Sequence, residues 1–369
     1  MNGVNKQQYF DTVVIGGGQA GLAMGYHLRK QGQKFVILEA YSRIGTSWRR
    51  RWDSLRLFTP AWISSLPGMP HKGSDNAFLT KDEVADYLES YAAHFNLPVQ
   101  LNSAVSSLSR QGDTYLLAVG DQQLSTRQVV VATGTYQQPR IPAFASELAS
   151  TIFQIHSDAY HNPNQLQNGN LLVVGAGSSG AEIALELVSS RRVWLAGRDT
   201  GHRPKNIPPL FRQPYWWLLH EAINTDTKPG RRMREQMEKG GAPLIGISKK
   251  AFEKAGVERT PRMIGVRNGK PLLQDGRVLD VANVIWCTGF TPNYSWVKLP
   301  IFNQEGHPIH TRGVVESEPG LYFLGLPFQY TLTSTFIGGV GRDADYIAQQ
   351  IAHCSSASAR RPNLVASLI

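Results

Sequence analysis

Two stretches of this chain have the residue types and spacing to hold a pyrophosphate: Gly16-Gly17-Gly18-Gln19-Ala20-Gly21 and Gly175-Ala176-Gly177-Ser178-Ser179-Gly180. In each, the first glycine permits a tight turn, the second lets the backbone approach the phosphates, and the third lets a helix pack on a strand. The phosphates would sit over Gln19 and Ala20, or over Ser178 and Ser179, at a helix N-terminus whose N–H groups and dipole favour anions. Glu39 closes the second strand after the first motif. It is placed to accept hydrogen bonds from both hydroxyls of an unphosphorylated adenosine ribose such as that of FAD. After the second motif the same position carries Arg198, which suits a 2′-phosphate and hence NADPH. Asp199 beside it weakens that preference and leaves NADH open.

The elements that must position these groups are legible as apolar runs. Thr12–Ile15 and Leu171–Val174 read as strands entering the two motifs, with helices over roughly 20–31 and 179–189 and second strands at Phe35–Leu38 and Val193–Ala196. Thr80 with Glu83 forms a capping box for a helix to about Phe95, with Val84, Leu88, Ala92 and Phe95 as its apolar stripe. Alternating stretches near 99–105 and 115–119 read as strands, and a buried strand over 128–131 runs into Ala132-Thr133-Gly134. A second buried strand, Val281–Cys287, runs into Thr288-Gly289-Phe290, which echoes that turn. Both turns are places for the chain to cross between domains. Leu321–Gly325 and a helix near 341–353 read as a return to the first domain, and the polar tail from Ser355 is expected to fray.

The fold class expected is α/β, with two Rossmann-like dinucleotide-binding domains, the second inserted in the first. Residues 1–165 and 288–369 would form the FAD-binding domain, and 166–287 the NAD(P)H-binding domain with a helical, basic insertion at about 202–266. That insertion reads as a lid or an association surface, its aromatic patch Tyr215–Leu219 offering a face for a homodimer.

A chain of 369 residues, 41% of them hydrophobic, has ample core for two domains. No apolar run approaches the ~20 residues that span a bilayer, and the polar N-terminus does not resemble a targeting signal, so no membrane is expected and a cytoplasmic location is the default. Two cysteines without a CxxC pair exclude a dithiol redox centre, and no metal site is expected. The net charge of +10 falls in short mixed clusters without a nucleic-acid motif, so small-molecule substrates rather than nucleic acid are expected partners.

Taken together, the paired glycine motifs, the loop Gly45-Thr46-Ser47-Trp48-Arg49-Arg50-Arg51-Trp52 and the turns Ala132–Gly134 and Cys287–Phe290 resemble the single-chain flavin-containing monooxygenases over nearly the whole chain. The segment Arg51–Pro60 is most similar to their compact bacterial CzcO-like branch. The resemblance implies that Gly45, Ser47, Trp48, Leu55, Thr59, Val105, Thr133, Gly134, Thr288, Gly289, Phe290 and Gly325 contact the cofactors. It also implies that Trp48, Thr59, His156 and Tyr160 belong to the catalytic region, with Trp48 and Trp52 either flanking the isoalloxazine or packing under their loop.

The histidine-centred signature of that family is partial here. His156-Ser157-Asp158-Ala159-Tyr160 matches its second half, the preceding FxG is missing, and Tyr160 stands where Baeyer–Villiger enzymes carry tryptophan. Pro60 stands near where many relatives carry an asparagine that supports oxygen activation. The implied chemistry is reduction of flavin by NADPH, addition of O2 as a C4a-(hydro)peroxyflavin, and transfer of one oxygen to sulfur or nitrogen of a small organic substrate. Baeyer–Villiger oxidation of ketones, an NADPH oxidase or reductase without oxygen transfer, and a non-catalytic redox-sensing flavoprotein remain as alternatives.

Overall fold

The computed structural model describes residues 8–71, 77–205 and 207–359. Two mainly parallel sheets dominate it, each built around one glycine motif, and together they form an α/β fold of two Rossmann-like units with the second inserted in the first. In the first sheet Gln8–Ile15 pairs in parallel with Phe35–Leu38 on one side and with Gln122–Val131 on the other. Gln122–Val131 serves two partners along one edge. Its first half pairs antiparallel with Thr114–Val119, while Val129–Val131 pairs in parallel with the returning strand Leu321–Phe323. The alternation of strand side chains sends Val14, Ile37 and Val130 to a core shared with the helices Gln19–Lys30, Lys81–His94 and Val340–Ala359. Val13, Ile15, Val129 and Val131 point to the opposite face, under Tyr294, Val297 and Ile301.

The second sheet is parallel throughout, in the order Glu258–Thr260, Val193–Ala196, Leu171–Val174, Asn283–Trp286, Phe153–His156. Two expected boundaries shift as a result. Phe153–His156 already belongs to this sheet, so the chain crosses before 165, and Glu258–Thr260 belongs to it too, so the insertion ends before 258 rather than at 266. Short strands of mixed polarity, Phe-Gln-Ile-His and Glu-Arg-Thr, carry too weak a period to be told from linker. The last helix also runs on to Ala359, past the point where fraying was expected; residues beyond 359 lie outside those described.

The two crossings are tied together. Gln138–Pro139 pairs antiparallel with Phe290–Thr291, the Arg140 guanidinium donates to the Thr288 carbonyl, and the Thr288 hydroxyl donates to the Arg140 carbonyl.

One histidine makes the fold acid-sensitive. Burial, reinforced by Arg234, pulls His310 down to about 4, and its Nδ1 accepts the Gly313 N–H. A folded-state pKa below the unfolded one gives stability that is present above about 6.5 and is lost as pH falls towards 4. Urea unfolding at pH 7 and pH 4.5 is therefore expected to show about 2–3 kcal/mol more acid loss in the wild type than in His310→Asn. Equal losses would show that His310 does not carry the effect.

Candidate functional site

The two glycine motifs have nearly superimposable stereochemistry. Gly16 and Gly175 lie at φ +108° and +109°, where an added Cβ would strike the carbonyl of Ala132 or of Cys287 in the neighbouring strand-end turn. A Cβ on Gly21 or Gly180 would land on the carbonyl of Gly16 or Gly175. At Gly18 and Gly177, by contrast, a Cβ would meet no protein atom within 4 Å. Those two glycines cap the helices Gln19–Lys30 and Ser178–Leu187 without a side-chain hydrogen bond and with no acidic residue in the first turn. Each cradle therefore presents a bare helix N-terminus and an open approach, as a pyrophosphate requires.

Around the first cradle, both oxygens of Glu39 are held by backbone donors, Gly17 N–H at 2.7 Å and Tyr41 N–H at 2.9 Å, which leaves lone pairs for a ribose. Gly325, at φ +83°, closes against Ala20. Trp48 sits half-buried on the short helix Thr46–Arg49, and its indole N–H donates to Gln19 Oε1 at 3.2 Å. Gly45 caps that helix at φ +79° and lies against the Ala85 backbone, while the Ser47 side chain is exposed. Gln137 ties down the following turn by donating to Thr133 Oγ1 and to the Gly134 carbonyl. Val105 opens the strand Val105–Gln111 and packs against the face of the sheet that carries Tyr294.

Several residues expected near the cofactors have partners within the protein. Trp52 and Leu55 are buried in the core of the second unit with Tyr160, Leu171 and Ile285, so this first-unit loop keys into the second and Trp52 packs beneath it. Tyr160 is fully buried and donates to Glu186 Oε2 at 3.2 Å; burial, and then the Glu186 carboxylate, raise its pKa. His156 stands between the crossings. Its Nδ1 accepts Asp158 N–H, so the tautomer that fits donates Nε2–H to the Gly289 carbonyl at 3.1 Å. Burial lowers its pKa and keeps the ring neutral, while Phe290 packs edge-on against it at 5.1 Å. Thr59 is buried against Ser64 Oγ at 2.9 Å, and Ser64 in turn bonds the Pro60 carbonyl; the pair fixes the turn before Ala61–Ile63.

At the second cradle Arg198 is exposed just past Val193–Ala196, and its carbonyl accepts from Arg259. Asp199 bonds the Gly201 N–H and so caps its own turn. Arg198→Ala is expected to raise the apparent KM for NADPH about tenfold or more and to leave that for NADH nearly unchanged, because a charge-assisted phosphate contact is worth about 1.5–3 kcal/mol. Equal changes for both cofactors would remove Arg198 from the 2′-phosphate.

Sequence reasoning missed a cavity of about 340 Å³ lined by Trp62, Ile63, Ser65, Gln213, Trp216, Trp217, His220, Glu221 and Gly338. It lies between the first unit and the insertion, whose helix Pro209–Trp217 and π-turn Leu218–Ala222 roof it. Gly338 packs on the Ile63 carbonyl, and Thr335, three residues before it, takes a hydrogen bond from Gln19, so the same segment reaches both the cavity and the first cradle. Its polar groups are fixed from outside. His220 Nδ1 meets Thr333 Oγ1 at 3.1 Å, and Arg342 donates to the His220 carbonyl and to Thr331 Oγ1. Burial and the nearby Arg342 lower the His220 pKa, so its ring is neutral. The only advance sign was the aromatic cluster Tyr215–Leu219.

Residues 13–227 match the pyridine nucleotide-disulphide oxidoreductase family. The chain is 44% identical over 354 residues to an oxidoreductase of Geobacillus kaustophilus named CzcO-like, covering 94% of this chain and 99% of that one. A probable indole-3-pyruvate monooxygenase of Arabidopsis thaliana, YUCCA3, is 28% identical over 92% of this chain and 86% of its own length. Among solved structures, the flavin-containing monooxygenase from Stenotrophomonas maltophilia superposes with a TM-score of 0.77 at 28% identity, covering 94% of this chain and all of that one. The chain belongs to the pyridine nucleotide-disulphide oxidoreductase family. Within it, the protein is an oxidoreductase of the CzcO-like flavin monooxygenase branch. Flavin monooxygenases use FAD, NADPH and O2, and the two cradles fit the two dinucleotides. The disulphide chemistry in the family's name has no counterpart among the described residues: neither Cys287 nor Cys354 is disulphide-bonded, and burial pushes the Cys287 thiol up to about 12.

Proposed function

We propose that this enzyme transfers one oxygen atom of O2 to the sulfur or nitrogen of a small, largely apolar organic substrate. In this reading FAD lies in the Gly16–Gly21 cradle, NADPH in the Gly175–Gly180 cradle and the substrate in the aromatic-walled cavity. The observation that carries it is the character of that cavity: three tryptophans, one neutral histidine and one carboxylate, with its lining residue Gly338 three residues from Thr335, whose carbonyl accepts from Gln19 of the first cradle.

Bound flavin, reduced by NADPH, supplies the activated oxygen. The protein's residues decide its reactivity. An apolar wall and the Glu221 carboxylate disfavour a developing anion, so a proton is retained and the oxygen stays electrophilic, which suits soft sulfur and nitrogen donors. The nearest cation, Arg342, is directed at the His220 carbonyl and Thr331 rather than into the cavity. The tryptophans give an apolar substrate flat surface to pack against.

The test is a panel of aryl sulfides, tertiary amines and ketones, including an indolic 2-oxo acid, turned over with NADPH and O2 and analysed by mass spectrometry. Sulfoxide or N-oxide formed in proportion to NADPH is expected. NADPH oxidation yielding only H2O2 would overturn the reading, as would esters or carboxylic acids as the main products. Trp62→Ala is expected to raise KM for an aryl sulfide about tenfold, since it removes one aromatic wall, while flavin content stays unchanged. An unchanged KM would place the substrate elsewhere.

A further inference from the structure

We propose that the outer face of the insertion docks on an anionic lipid bilayer surface, bringing the mouth of the aromatic cavity to the membrane so that apolar substrates enter from the lipid. The second half of this inference rests on the reading of that cavity as the substrate site; the first does not.

The outer face of helix Pro209–Trp217 and its π-turn is apolar and solvent-facing. Leu210 is 80% exposed, Phe211 59%, Trp217 62% and Leu218 44%, with Pro214 exposed between them. Their spacing of i, i+1, i+4, i+7 and i+8 places them on one stripe, as in a helix that lies in a membrane interface. The stripe is held firmly from behind. Trp216 and Leu219 are buried on the opposite face, and the insertion is fastened to the first unit by Thr225 N–H to the Tyr330 carbonyl, Tyr330 O–H to Asp226, and Arg342 to His220. A contiguous apolar stripe on a well-anchored helix calls for an apolar partner.

Charge selects the partner. Residues 202–256 carry eleven lysines and arginines against five acidic residues, and Lys228, Arg231, Arg232, Lys249 and Lys250 are exposed. The first three follow the stripe directly, on helix Lys228–Gly240. A second copy of this chain would bring the same positive charge rather than its complement. An anionic bilayer answers both features, because each surface lysine or arginine strengthens the attraction by roughly a factor of five. Trp217 belongs to both the stripe and the cavity lining, so the mouth of the cavity opens at the docking face.

The experiment is co-sedimentation of the flavin-loaded protein with vesicles of phosphatidylcholine alone and of phosphatidylcholine with phosphatidylglycerol, at low and high salt. Binding to the anionic vesicles that weakens with salt is expected. The pair Leu210→Gln with Phe211→Gln, and separately Lys228→Glu with Arg232→Glu, should each lower partitioning at least about tenfold. Both variants should keep flavin content and NADPH-driven flavin reduction, since none of the four residues lines a cradle or the cavity. A wild-type protein that stays in the supernatant with anionic vesicles overturns the proposal. So does a lipid-free dimer abolished by the Leu210/Phe211 pair, which would assign the stripe to a second copy. Vesicle binding is scored without turnover, so its failure is separate from a failure to oxygenate the substrate panel.

Discussion

Gly18→Val is expected to fold normally and to purify without its yellow cofactor, whereas Gly16→Val is expected to lose stability. Although the residues are neighbours in one motif, the physics differs. Gly18 has φ −78° and ψ −171°, a conformation valine adopts freely, and its Cβ would project where no protein atom lies within 4 Å. Only a bound pyrophosphate would meet the side chain, so FAD affinity should fall about ten- to a hundredfold with little change in the apoprotein. Gly16 lies at φ +108° with a Cβ only 2.6 Å from the Ala132 carbonyl oxygen. Substitution there strains the backbone and forces two strand ends apart, costing about 2–4 kcal/mol whether or not cofactor is present. Flavin absorbance per mole of protein and thermal unfolding of the apoproteins separate the two effects. Gly177→Val, with φ −75° and the same open approach, should retain flavin and lose its reduction by NADPH. If Gly177→Val lost the flavin instead, the assignment of the two cradles would be reversed.

These contrasts show what a sequence of this kind makes legible. Glycine triads, flanking apolar strands and the terminal Glu39 and Arg198 are local features whose spacing is fixed by the turn they must build, so both cradles could be located before any coordinates. The turns Ala132–Gly134 and Cys287–Phe290 echo each other in packing as well, since Gly16 packs on the carbonyl of Ala132 and Gly175 on that of Cys287. Long-range packing was not legible. Nothing local to Trp52, Leu55 or Tyr160 says that one loop of the first unit is buried in the core of the second. The cavity was hidden for the same reason: its walls come from residues 62–65, 213–221 and 338, which only the folded chain brings together. Partial signatures such as His156–Tyr160 point to a position without naming its role, and here His156 bridges backbone while Tyr160 pairs with Glu186.

The same long-range logic makes Arg342 the residue whose loss should most disturb turnover away from either cradle. It stands near the start of helix Val340–Ala359, donates to Thr331 Oγ1 at 2.8 Å and to the His220 carbonyl, and lies 3.8 Å from Glu221, so one side chain fastens the cavity's roof to the first unit. It is also the closest cation to Asp343, which is wholly buried, has no well-formed hydrogen bond to either oxygen, and has its pKa raised by burial against the opposing pull of Ser334, Arg342 and Arg312. Arg342→Ala would leave that carboxylate without its nearest counter-charge, a change that costs about 3–5 kcal/mol for a buried pair. The variant should therefore unfold at lower temperature. Once the roof is detached, it should also consume NADPH with more H2O2 and less oxygenated product. Arg342→Ala combined with Asp343→Asn tests the division of labour. Neutralising the stranded carboxylate should restore much of the stability, whereas the ratio of product to NADPH should stay low, because nothing replaces the bond to His220. If the double variant recovered both, Arg342 would act only as a counter-ion and the roof would be held without it.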